Sequence, residues 1–152
     1  MANLEGVYSG LTISKVNGIK DGEGALIEAT PNLFVALDSS DTSKFILPSK
    51  DGGTVLGVLL PDYRYEEGKI QAGKAGNIQI EGIVDVVCDG NITANHLVIA
   101  TAEGKAKDIG IIDDGLSAGD VLTYVAGIAV EDGVNGGKVA VLLSRQIVGL
   151  AT

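Results

Sequence analysis

A chain of 152 residues with a single Cys cannot carry an internal disulfide, yet it is long enough to bury a core without staples or metal. Hydrophobic content of 45% against 20% charged residues excludes intrinsic disorder, and charges interrupt every apolar run before the ~18 residues that would span a bilayer. The net charge of −9 is spread along the chain and Arg64 and Arg145 are its two arginines, so neither nucleic acid nor membrane is an expected partner.

In chain order, residues 1–24 are punctuated by Gly6, Gly10, Gly18, Gly22 and Gly24, with a short alternation at Leu11 and Ile13. That spacing predicts an extended N-terminal arm over 1–24, followed by one β-rich domain over 25–152. The opening Met-Ala-Asn-Leu-Glu-Gly has no basic segment leading into an apolar one, which predicts a product made in the cytoplasm. Strand-length apolar runs then follow at 25–29, 33–37, 44–47 and 54–60, divided by Thr30-Pro31-Asn32, by residues 38–41 and by Ser49-Lys50-Asp51-Gly52-Gly53. Ile78, Ile80, Ile83, Val84, Val86 and Val87 read as one branched strand with a bulge at Gly82. Further strands are predicted at 97–101, 105–109, 121–125, 128–130 and 138–143, with 94–102 the best helical competitor. No long stretch keeps a 3.6-residue period, so the predicted fold class is all-β, with at most one or two short helices. The architecture expected is a small β-barrel or sandwich with an N-terminal arm.

Ile92 to Val98 aligns with Leu116 to Leu122 at an offset of 24, and in each copy a Ser/Thr-Ala turn leads into a strand. Asn95 and Gly119 are the residues able to take positive φ there. The echo fits either two pseudo-symmetric hairpins or convergence of turns on one composition.

Reactive side chains are scarce. The lone His96 falls in a turn, where capping is the simplest role. Cys88 closes an apolar strand with no His or Lys close in sequence, and reads as a small core residue. Asp108, Asp113, Asp114 and Asp120 lack the alternate oxygens and closing Glu of a calcium loop. The glycine-rich pieces at 22–24 and 133–137 lack the Lys-Ser/Thr and the following helix that phosphate cradling needs. No catalytic, cofactor-binding or metal residues are therefore predicted, and the protein is not expected to be an enzyme. Tyr63-Arg64-Tyr65 differs in kind, because it gathers half of the tyrosines and half of the arginines just after Pro61-Asp62. Tyr and Arg supply stiff contact area with polar tips, so this segment reads either as an interface or as a loop packed on its own barrel.

Residues 54–60, the unit 92–109, Leu116-Ser117-Ala118-Gly119-Asp120-Val121-Leu122, Gly127-Ile128-Ala129 and residues 137–143 together resemble the capsid decoration (cement) proteins of tailed bacteriophages. Asn95-His96 stands where the family's first turn has Gly-Asp, and Val55-Leu56 where it has Ile before Gly57. The resemblance implies a homotrimer on the outer capsid surface of a virion, at or near three-fold axes, made in the host cytoplasm and clamping the major capsid protein. It also implies an N-terminal arm that adds a strand to the capsid. The expected partner interface is Leu4, Val7, Tyr8, Leu11 and Ile13 of the arm, with Tyr63, Arg64 and Tyr65. A non-catalytic β-sandwich that binds carbohydrate or a host surface is the competing class; the absence of Trp counts against it.

Overall fold

The structure, a computed structural model, describes residues 10–111 and 121–150. It is nearly all β, as expected, and its described helical content is one 3-10 turn at Glu66–Gly68. Five strands form a closed barrel: β1 (Thr12–Asn17), β2 (Phe34–Leu37), β3 (Lys44–Ile46), β4 (Gly57–Leu59) and β5 (Ala75–Gln79), in the order β1-β3-β2-β4-β5. The ring closes where β1 runs antiparallel to β5, from Thr12 opposite Gln79 to Val16 opposite Ala75, while β1 lies parallel to β3. The other five strands are β6 (Ile83–Val87), β7 (Leu97–Ala100), β8 (Ala106–Gly110), β9 (Val121–Ala129) and β10 (Lys138–Leu150). They form a sheet of order β6-β10-β9-β7-β8. A single parallel bridge from Cys88 to Ala106 draws its two edges together at one end.

The period-2 pleat explains how barrel and sheet share a wall. In β2, Val35 points into the barrel among Ile19, Phe45, Ile70 and Ile78, while its neighbour Phe34 points the other way, among Val84, Val86, Val98 and Val141 of the sheet. In β4, Leu59 and Val58 divide in the same manner. A strand buried on both faces reads as a continuous apolar run, which is what 54–60 is. Gly57 in β4 lies where an added Cβ would collide with the Gln79 carbonyl, so the residue permits close strand approach and does not turn the chain.

Buried amides complete the joint. Asn32, at φ 63, donates through Nδ2 to the Asp85 carbonyl at 3.0 Å, and its own carbonyl accepts from Val87 N at 2.9 Å. Gln79 Nε2 donates to the carbonyls of Glu81 (3.0 Å) and Ile83 (2.9 Å), holding the passage from barrel to sheet. At the other end of the barrel, fully buried Asn17 donates to the carbonyls of Ile27 (2.9 Å) and Ile70 (3.2 Å) and accepts from Ile19 N (3.0 Å).

Several expectations are corrected. Residues 12–17 belong to the barrel and not to an arm, because β5 pairs with Thr12 to Val16 and β3 with Val16 and Asn17; residues 1–9 lie outside the described residues. Residues 25–29 contribute only bridges, Leu26 to Lys20 and Ala29 to Ile70. The run from Ile78 to Val87 is two strands in different sheets, with a bend at Glu81-Gly82, where Gly82 has φ 92, in place of a bulge within one strand. Val121–Ala129 form one strand through Gly127 and β10 runs past 143 to Leu150, whereas the strand predicted at 97–101 is found at Leu97–Ala100. Asn95 does take positive φ (70°), but 112–120 and hence most of the second copy of the echo lie outside the described residues.

Because Phe34 belongs to the core that barrel and sheet share, Phe34→Ala should cost about 3–5 kcal/mol. Denaturant unfolding should stay a single transition at a lower midpoint; separate unfolding of barrel and sheet would contradict the shared wall.

Candidate interaction surface

The 60–74 connection between β4 and β5 carries the Tyr63-Arg64-Tyr65 segment, and Asp62 organises it. Asp62 N donates to the Gly68 carbonyl at 2.9 Å and its carbonyl accepts from Tyr65 N at 3.0 Å. Its carboxylate accepts from Arg64 N (3.1 Å), Arg64 Nε (3.0 Å) and Arg64 Nη2 (2.7 Å). The side-chain hydrogen bond from Arg64 holds the Asp62 carboxyl below its ordinary range, and Asp62 in turn raises Arg64. The guanidinium also stands 5.7 Å from the Tyr65 ring centroid, within cation–π range. Arg64 is thus a brace within its own loop. Tyr65 is half-buried, whereas Tyr63 is 84% exposed on a backbone already fixed by these bonds.

Beside the loop runs a cleft of about 330 Å³ lined by Ser14, Asp62, Tyr63, Arg64 and Asn77. Ser14 pairs with Asn77 across β1 and β5, so strand register brings β1 to the aromatic loop. The remaining interface residues are not gathered with it. Ile13 is half-buried against the barrel core, and 57%-exposed Leu11 meets Ile80 at the other end of β5, about 10 Å along the strand from Ser14. Leu4, Val7 and Tyr8 lie outside the described residues.

Two features escaped the sequence reading. His96 Nδ1 lies 2.8 Å from the Asp108 carboxylate, which also accepts from Thr93 N (3.0 Å) and Gly110 N (2.6 Å). Burial opposes ionisation of Asp108, but the bonds from Thr93, Gly110 and His96 outweigh it and hold the carboxyl below its usual value. The pair therefore ties the 91–96 turn to the end of β8. Cys88 is buried in the sheet core, and burial, with the Glu131 carboxylate adding to it, pushes its thiol up. The second feature is a reciprocal clasp: Asn91 Oδ1 accepts from Asn135 N (3.0 Å), and Asn135 Oδ1 accepts from Gly90 N (2.9 Å). It locks the 88–96 and 130–137 loops and presents Val134, 69% exposed. Among the described residues no group of three His, Cys, Asp or Glu side chains is placed to hold a metal; Asp113, Asp114 and Asp120 lie outside them.

The fold has a solved counterpart. The chain is similar to the head fiber gp8.5 N base of bacteriophage phi29, with a TM-score of 0.58 and 15% identity, covering 93% of this chain and 100% of that one. No protein-family model matches the chain, and no curated protein does. At that identity the likeness establishes a common architecture over almost the whole length, and the resemblance to decoration proteins rests on its short motifs.

Asp108 carries a pH consequence. Its carboxyl titrates lower in the folded chain than its ordinary 3.8, so its stabilisation is complete above that value and is lost as pH falls through the lower folded one. In thermal melts between about pH 5 and about pH 2, Asp108→Asn should show a shallower fall in Tm than the parent chain; parallel curves would remove the pair from the stability account.

Proposed function

We propose that this protein is a structural component of a bacteriophage virion. In this reading it binds the outer surface of the capsid as a homotrimer, at or near three-fold axes, and stabilises the shell through the major capsid protein. The observation that carries the proposal is the fold likeness over the full length of a chain described as the N base of a phage head fiber. The decoration-protein motifs at 54–60, 92–109, 116–122, 127–129 and 137–143 support the same reading. So does the chemistry of the surface: a net charge of −9 disfavours contact with nucleic acid, and the reading needs no catalytic group.

Tyr63 is the contact residue this reading favours. An aromatic side chain held out on an ordered backbone loses little conformational freedom when a partner covers it, which is the condition for a hot spot. Ile13, committed to the barrel core, is withdrawn from the contact surface. Three copies acting together convert modest contacts into firm attachment, because the second and third engage at high effective concentration.

Purified protein should co-sediment with undecorated phage capsids, and light scattering should give a mass near three times 15.5 kDa. Failure to pellet with capsids would overturn the proposal, and a monomer at micromolar concentration would remove its trimer. Tyr63→Ala should weaken capsid binding at least about tenfold with an unchanged melting temperature; undiminished binding would move the contact elsewhere.

A further inference from the structure

Asn17 and Asn135 are each followed by glycine, and both stand in the same triplet, Val-Asn-Gly. In such a pair an asparagine reacts readily with its own backbone, because glycine has no side chain to obstruct its nitrogen as it approaches the carboxamide. The two sites are matched in local sequence, so any difference between them comes from the fold.

Asn17 is fully buried. Its Nδ2 donates to the carbonyls of Ile27 (2.9 Å) and Ile70 (3.2 Å), its Oδ1 accepts from Ile19 N (3.0 Å), and Gly18 N donates to the Phe45 carbonyl at 2.9 Å. Freeing the reacting groups there requires the end of β1 to leave β3. Asn135 and Gly136 are instead exposed, in a turn closed by Gly137 N on the Val134 carbonyl (2.9 Å), with Gly136 at φ 80. A Cβ on Gly136 would meet nothing within 4 Å, so that side of the turn lies open. Three bonds tie this pair to one short segment, 88–91. Gly136 N donates to the Cys88 carbonyl at 3.1 Å, Asn135 N donates to Asn91 Oδ1 at 3.0 Å, and Asn135 Oδ1 accepts from Gly90 N at 2.9 Å. Lifting the tip from that segment therefore releases the nucleophile and the carboxamide together.

We propose that Asn135 is a site of spontaneous deamidation whose rate is set by the contacts of the tip with residues 88–91. When the tip lifts, the Gly136 nitrogen gives up its proton to solvent and bonds to Asn135 Cγ, and Nδ2 leaves Cγ as ammonia. Water then opens the cyclic imide to aspartate or isoaspartate. Every atom comes from the chain or from water, and nothing is oxidised. Isoaspartate carries the main chain through the side-chain carbon, and the lengthened turn cannot return Gly136 N to the Cys88 carbonyl. A reversible opening of the Val134 tip thus becomes permanent, with one more negative charge beside it. The proposal is independent of capsid binding.

Peptide mapping by mass spectrometry, on the full chain held at mildly alkaline pH, tests the assignment, with isoaspartate methyltransferase labelling as a second readout. In the folded chain Asn135 should convert at least about tenfold faster than Asn17, whereas in denaturant the two rates should converge. An Asn17 rate equal to or above that of Asn135 in the folded chain would overturn the site. Asn135 should also react at least about tenfold more slowly folded than in denaturant, and equal rates would overturn the control by residues 88–91. Asn91→Ala removes one of the three bonds and should speed conversion of Asn135 about threefold to tenfold, with Asn17 unchanged. Asn91→Asp, which keeps the acceptor oxygen, should react at the parent rate. An Asn135 rate that Asn91→Ala leaves unaltered would likewise overturn the control.

Discussion

The fold depends on two short strands that are buried on both faces. β2 and β4 present neighbouring side chains to different cores, Phe34 and Val58 to the sheet, Val35 and Leu59 to the barrel. A closed barrel has no free edge and so no lateral way to recruit a second sheet; it must offer the outer face of its wall. That requirement explains why the wall strands, Phe34-Val35-Ala36-Leu37 and Gly57-Val58-Leu59, carry no polar side chain where an ordinary barrel strand would alternate with polar residues. Asn32 and Gln79 then supply the directionality that apolar contact lacks. Each satisfies backbone groups of the chain entering β6, so the sheet has one orientation relative to the wall.

This rigidity passes outward to the exposed surface. The Tyr63 loop is anchored by β4 and β5 at its ends and by Asp62 at its centre, and the 88–96 and 130–137 loops are anchored on one another through Asn91 and Asn135. These tips order themselves without a partner, so an association made through them is spared much of the cost of ordering loops. For a protein proposed to work as one of many identical attachments, a uniform surface on every copy is the useful property.

Much of this was legible from residue types. The β-class and the core strands at 34–37, 44–46, 97–100 and 106–110 follow from short apolar runs between turn residues, and Tyr63 stood out by composition. The failures have a common cause, which is pairing between positions distant in sequence. β1 looked like an arm because Gly10 and Gly18 flank a polar-rich stretch whose partners lie near residues 44 and 77. The alternation from Ile78 to Val87 runs on unbroken through Gly82, and only the topology shows that the chain changes sheets there. His96 finds Asp108 because Leu97 pairs with Gly110 in the β7–β8 hairpin, a register that the turn residues alone did not specify. Arg64 was read as a contact residue, whereas its bidentate hold on Asp62, two positions away, turns it inward to its own loop.

Closure of the barrel by its first and fifth strands has a consequence for the order in which the protein is made. Thr12 has no antiparallel partner until Gln79 has been synthesised, and β6 must wait for Lys138 to Leu142 before β10 can cover it. Early strands thus leave the ribosome with open edges and apolar faces, in a chain dominated by such long-range pairings, which are intrinsically slow to form. The abundance of acidic residues then acquires a kinetic meaning, since like charge keeps unfinished chains apart during the interval before the ring can shut.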